Sequence, residues 1–338
     1  MRTMRSFQTA GVSDPVMAKY AMVAPVLEAT LYSLKITRVE RLGGYHKVTL
    51  EDLAREYREG SGDAGICFEW AVHDAIARRD PLIHPLASQV LEDFCGIGDG
   101  ADSILFGPEK DGRIPILESV NAALTPDSRL YVGNRGQPPK LKRHIPDIIQ
   151  AFHSKGNGEK LPRSISGIWK ADLFIGNPQS DKWVGTTVKS QAGGLQGASG
   201  LRIGIYPSES PRDTPRQDEG LGLIRLPLPY DGGFSELYYK SFFLVRAFLR
   251  ADSLMPSRVN LPDAEDRYIT DELRKRAEFP ILEVIEAVRS MSQPDLLETE
   301  DVQFVQSDVS LGVDGLAETA DDVLEGAISL APTPLLEV

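Results

Sequence analysis

The stretch Lys170–Gln191, KADLFIGNPQSDKWVGTTVKSQ, decides the reading of this chain. It predicts two β-strands joined by a turn. In the first, Ala171, Leu173 and Ile175 alternate with Lys170, Asp172 and Phe174; in the second, Val184, Thr186 and Val188 alternate with Trp183, Thr187, Lys189 and Gln191. Strand side chains alternate between faces with a period of two, so one face of the hairpin is expected to be mostly apolar. The other brings Asp172 near Thr187, Lys189 and Gln191. Gly176, Asn177, Pro178 and Ser180 supply turn chemistry between the strands. An acid on one strand and a lysine on the next suit metal-assisted phosphodiester cleavage, in which the carboxylate holds a divalent cation and the ammonium orients water or stabilises charge on phosphorus. The same pair also suits a simple cross-strand salt bridge.

A helix upstream supplies a second acid. Asp63 can cap it, it runs through Cys67-Phe68-Glu69-Trp70 to Arg79, and Asp80-Pro81 ends it. Phe68, Val72, Ala75 and Ile76 form its core face. Glu69 and His73 lie one turn apart beside that face, where a carboxylate needs a partner because an unpaired buried charge is costly. His73 by itself reads as structural.

The rest of the chain frames these elements. Residues 16–36 predict a helix broken near Pro25, or a helix followed by a strand. Thr49–Glu59 predicts a short amphipathic helix with Thr49 as N-cap, Asp52 close to a capping box, and Leu50, Leu53, Ala54 and Tyr57 as its apolar stripe. Ser103–Phe106, Ile114–Leu117 and Leu130–Val132 are strand candidates. Residues 138–163 are the most basic part, with Lys140, Lys142, Arg143, His144, His153, Lys155, Lys160 and Arg163 around a helix near Ile145–Phe152; this face could meet phosphates or simply be solvated. Gly193–Gly200 reads as a glycine-rich loop, Leu201–Tyr206 and Leu221–Leu228 as strands, Phe234–Asp252 as a helix, and Asp271–Met291 as a helix interrupted near Pro280.

Charge is unevenly distributed. Of 49 acids and 37 bases, eleven acids and no base lie in residues 291–338, which leaves 38 acids against 37 bases, a net of -1, in residues 1–290. The acidity that would argue against a nucleic-acid ligand therefore belongs to the tail. Apolar residues spaced among the tail carboxylates suggest a segment that docks on a partner protein or on this protein's own basic surface. The 41% hydrophobic content and mean hydropathy of -0.21 fit a globular chain without a membrane span. The N-terminus shows no secretory pattern, and two cysteines make no disulfide framework, so a reducing cytoplasm is expected.

The order of a helix with Glu69, a strand with Asp172, a strand with Lys189 and an apolar strand (LRIGIY) resembles the PD-(D/E)xK restriction-endonuclease-like superfamily. The resemblance implies an α/β (α+β) fold: a restriction-endonuclease-like core with a small mixed sheet flanked by helices, a large insertion and an acidic C-terminal tail. It divides the chain into an N-terminal segment at 1–60, a core at 61–290 with the insertion at about 82–160, and the tail at 291–338. It also implies cleavage of DNA with Mg2+ or Mn2+, and a place in restriction or anti-phage defence. Asp172 and Glu69 would bind metal with the carbonyl of Val188, Lys189 would assist water or the transition state, and Thr187 and Gln191 would line the site. The family has an acid two residues before the lysine; this chain has Thr187, so either Glu69 supplies the second carboxylate, or Gln191 helps position water, or the site is inactive and the chain is a noncatalytic nuclease-like scaffold that binds a partner in a defence complex. A second resemblance competes. Val90–Gly98 (VLEDFCGIG) looks like the first motif of S-adenosylmethionine-dependent methyltransferases, with Glu118 where a ribose-binding acid could sit. Asp172–Gln179 (DLFIGNPQ) is similar to the amino-methyltransferase motif, although Gln179-Ser180 replaces its Pro-aromatic pair.

Overall fold

In a computed structural model of the protein, the structure describes residues 15–58, 62–107, 120, 123–133, 137–154, 160–229, 233–253, 261, 263–290 and 292. In chain order the principal elements are α1 (Pro15–Tyr32), α2 (Ile36–Arg41), α3 (Leu50–Glu56), α4 (Ala64–Ala77), α5 (Ile83–Cys95), β1 (Asp102–Leu105), β2 (Arg129–Tyr131), α6 (Leu141–His153), β3 (Leu173–Asn177), β4 (Lys182–Val188), β5 (Leu201–Pro207), β6 (Arg216–Asp218), β7 (Leu223–Leu228), α7 (Phe234–Arg250), α8 (Ala264–Lys275) and α9 (Ile281–Ser290). No helix among the described residues is long and apolar enough to cross a membrane.

The chain divides into two compact units. One takes Tyr32–Ile36 and Gly60–Glu236; the other takes Met1–Leu31, Thr37–Glu59 and Leu237–Val338. This differs from the linear division into 1–60, 61–290 and 291–338. The cause is visible in backbone bonds: Leu50 N–H donates to Phe279 O, Glu51 N–H to Ala277 O, and Ile281 N–H to Val48 O, so residues near 50 and near 280 hold one another. In the same unit the side chain of Thr49 accepts from Asp52 N–H and Asp52 reaches back to Thr49 N–H, which completes the expected capping box of α3. Helix α1 runs through Pro25 without a break. An interior proline costs about 3 kcal/mol. Burial of Tyr20, Val23, Val26, Leu27 and Leu31 offsets that cost.

The other unit holds a seven-stranded mixed sheet in the order β1-β3-β4-β5-β7-β6. Strands β1, β3 and β4 are successively antiparallel, β4, β5 and β7 are parallel, and β6 closes the edge antiparallel to β7. Strand β4 organises the rest. One edge pairs with β3 over Lys182–Thr186, and the other is shared: β2 pairs with Lys182–Val184 and β5 with Gly185–Val188, with a register shift at Gly185/Thr186. Gly185 permits that hand-over, since a β-carbon there would meet Ile168 Cδ1 at 2.3 Å and Gly200 O at 2.8 Å.

Both faces of the sheet are covered. On one, Ile104, Phe106, Phe174, Trp183, Leu201 and Leu223 pack with Ile145 and Ile148 of α6 and with Ile165 and Ile168. On the other, His73 of α4 hydrogen-bonds Ser103 of β1 (Nδ1 to Oγ, 3.0 Å), and α5 packs beside α4 and against β7. Every residue of β3 is consequently buried, not only one apolar face. A strand covered on both sides reads as a continuous apolar run rather than an alternation. Residues 82–160, read from sequence as an insertion, supply β1 and β2 to the sheet itself. The strand expected at Ile114–Leu117 and the tail lie outside the described residues.

Candidate functional site

Asp172 sits immediately before β3 and Lys189 immediately after β4, at the same end of the antiparallel pair. The main chain of Asp172 is fixed from both sides. Its N–H donates to Thr186 O at 2.8 Å, and its carbonyl accepts from the N–H groups of Phe106 and Gly107, both at 2.8 Å. With the backbone held, the side chain has one direction, toward the end of β4. There Asp172 Oδ2 accepts from the Thr187 hydroxyl at 2.9 Å, the Val188 N–H at 3.0 Å and Lys189 Nζ at 2.8 Å. Lys189 Nζ also lies 3.8 Å from Glu69 Oε1 on α4. Three residues far apart in sequence thus meet around one ammonium.

The burial is graded. The side chains of Asp172, Glu69 and Lys189 are 8%, 16% and 34% exposed, so the acids line the floor and the lysine reaches solvent. Burial works against the Lys189 charge, but the Asp172 and Glu69 carboxylates outweigh it and raise its pKa above the usual lysine range. The lysine is therefore an ammonium at neutral pH. Because the folded value is raised, its contribution to stability is complete below the unfolded lysine pKa of about 10.4 and is lost as pH rises through the folded value. Thermal melts between neutral pH and about pH 11 should show the native protein losing stability at the alkaline end relative to Lys189→Met. A constant gap between the two across that range would sink this reading.

The other expected site residues divide. Thr187 and Val188 are in the cluster, and Val188 contributes its amide to Asp172. Gln191 lies beyond the strand, is exposed and makes no side-chain hydrogen bond to Glu69, Asp172 or Lys189. Residue Gly107 was missed; from sequence it reads only as a break before Pro108. A β-carbon at Gly107 would sit 2.9 Å from Glu69 Oε2. The obstructed atom is the far end of a side chain, so Gly107→Ala should displace the Glu69 carboxylate with less than about 1 kcal/mol lost in stability. Any activity that depends on Glu69 should fall roughly tenfold, an estimate from the sensitivity of catalysis to small misplacements. Unchanged activity in Gly107→Ala would show that Glu69 has no part in it.

The donors gathered here are hard oxygens: two carboxylates, with a backbone carbonyl at Val188 adjacent in sequence to Lys189. Among the described residues no group of three or more His, Cys, Asp or Glu converges in a way that could hold a metal ion. A closed cage of protein ligands is absent from them, and a site with one or two carboxylates and water is what Mg2+ ordinarily uses.

In the segment resembling a methyltransferase motif, Val90–Cys95 belongs to helix α5, and Gly96 ends the helix in the left-handed conformation (φ 63°). Asn177 is also occupied locally. Its Oδ1 accepts from Gln179 N–H at 2.7 Å and Ser180 N–H at 3.2 Å, and its amide donates to Gly98 O at 2.7 Å. Asn177 and Gly176, read as turn residues, complete β3 instead. Glu118 lies outside the described residues.

Comparison with known proteins finds no family model, no curated protein and no solved structure that matches this chain.

Proposed function

We propose that this protein is a divalent-metal-dependent nuclease that hydrolyses DNA phosphodiester bonds on a restriction-endonuclease-like core. The observation that carries this reading is the meeting of Glu69, Asp172 and Lys189, with Lys189 Nζ 2.8 Å from Asp172 and 3.8 Å from Glu69. The order helix, strand, strand, parallel strand around those residues supports it. Asp172 and Glu69 are the residues that would hold Mg2+ or Mn2+, with the Val188 carbonyl as a further oxygen. When bound, such a cation polarises a phosphoryl oxygen and lowers the pKa of its water.

What the chain's own residues do follows from their charge states. Lys189 is protonated, so it acts as a fixed cation: it orients attacking water through its N–H donors and offsets negative charge that develops on phosphorus. Asp172 anchors that ammonium. The Thr187 hydroxyl and Val188 N–H hold Asp172 in one rotamer. The buried thiols of Cys67 and Cys95, neither of them in a disulfide, agree with the cytoplasmic setting we propose.

A second reading, a nuclease-like scaffold without cleavage that docks a partner protein, rests on a specific observation. Asp172 Oδ2 already accepts from three protein donors, and Thr187 stands where the family has an acid. The test incubates the full chain with supercoiled plasmid, linear duplex, single-stranded DNA and RNA, with Mg2+, Mn2+ or EDTA. Metal-dependent cleavage supports the nuclease; intact substrates under every metal condition support the scaffold.

A further inference from the structure

The glycine-rich loop after Lys189 leads away from the cluster to an aromatic and basic surface. Gly194 lies against the Lys189 stem, where a β-carbon would sit 3.5 Å from Lys189 Cβ. Two residues on, Gln196 Oε1 accepts from Lys170 Nζ at 3.5 Å, and Ser199 O then accepts from Gly167 N–H at 3.0 Å. The loop thus spans from Lys189 to the tight turn Ile168–Lys170 that delivers the chain to Asp172. On that turn Trp169 is half-buried. Phe152 of α6 packs against its ring, with centroids 6.4 Å apart and a 54° tilt, and Lys170 Nζ lies 5.6 Å from its centroid.

Lys160 donates to the Gln150 amide oxygen and Lys170 to that of Gln196, and among the described residues neither meets a carboxylate. Arg163 is exposed on the turn before Ser166. A half-buried indole with an ammonium 5.6 Å from its centroid, and further basic residues on the adjoining segments, is an arrangement on which unpaired bases stack while phosphates meet the cations. Duplex DNA keeps its base faces inside the stack and cannot use the ring.

We propose that Trp169 is the stacking platform for an unpaired base of single-stranded nucleic acid, with Lys170, Lys160 and Arg163 meeting its phosphates. This deepens the proposed function by naming the substrate class, and it rests on that reading for what happens to the strand after it binds; binding itself needs no metal.

The protein provides its own reporter. It has three tryptophans; Trp70 and Trp183 are 5% and 1% exposed, so quenching by a bound base falls on Trp169. Full-length protein is titrated with a short oligothymidylate in EDTA, following intrinsic fluorescence and, with an end-labelled oligonucleotide, anisotropy. Saturable quenching is expected, with affinity that falls as salt rises. Trp169→Ala should weaken binding about tenfold, as expected for one stacked base. Trp169→Phe, which keeps a ring in the core, should abolish quenching and keep affinity within about threefold. Absence of quenching at saturation, unchanged affinity in Trp169→Ala, or duplex bound as tightly as single strand would overturn the proposal. Quenching in EDTA without cleavage in Mg2+ would retain the platform and reject the nuclease; cleavage without quenching would do the reverse.

Discussion

Asp172→Asn should abolish metal-dependent DNA cleavage, by about 10³-fold or more, in a protein that still folds. The substitution keeps the shape and an oxygen that can accept from the Val188 N–H. It removes the negative charge that faces Lys189 at 2.8 Å and that would hold a cation. Lys189→Met should cost about 10²- to 10³-fold through loss of the cation alone. The two substitutions act on one cluster, so the double variant should be little worse than Asp172→Asn. Initial rates on single-stranded DNA, with plasmid in parallel, measure the chemistry, and thermal unfolding of the same samples shows that the fold persists. Native rates in Asp172→Asn would reject the site. Full additivity of the two losses would mean that Asp172 and Lys189 act separately, which their hydrogen bond does not allow.

The second large effect concerns the sheet. Gly176→Ala should lower stability by about 3 kcal/mol and the Tm by roughly 10 °C. Gly176 pairs with Trp183 across β3 and β4, and a β-carbon there would lie 2.1 Å from Lys182 O and 2.8 Å from Trp183 Cα. Both obstacles are backbone, and β4 cannot retreat because β2 and β5 hold its far edge. The strain must open the β3–β4 pair that places Asp172 beside Lys189. Gly107→Ala differs because its obstacle is a side-chain tip. If Gly176→Ala melts within about 1 °C of the native protein, the register of the hairpin is wrong.

Local elements were legible because their signals are local. Thr49 and Asp52 lie one turn apart and cap α3 by themselves; Asp63 accepts from Ile66 N–H at 2.9 Å and starts α4; the strands from Leu201 and toward Leu228 follow from dense apolar runs. Misreadings arose where burial overrode composition. Gly176 and Asn177 carry turn chemistry yet finish a central strand. Trp169 gave no signal at all, because a single aromatic residue among short turns has no periodicity.

The residues alone determined that an acid and a lysine meet at one end of a hairpin, Asp172 just before β3 and Lys189 just after β4, since a short hairpin leaves the chain little other path. They also determined where α3 and α4 begin, because the Thr49 and Asp63 caps satisfy backbone groups within one turn. Only tertiary structure decided that Glu69 joins the pair, that residues 82–160 feed the sheet, and that β2 and β5 divide one edge of β4. Those outcomes depend on burying both faces of the sheet at once. That requirement couples residues a hundred positions apart and leaves no mark in the spacing of either one.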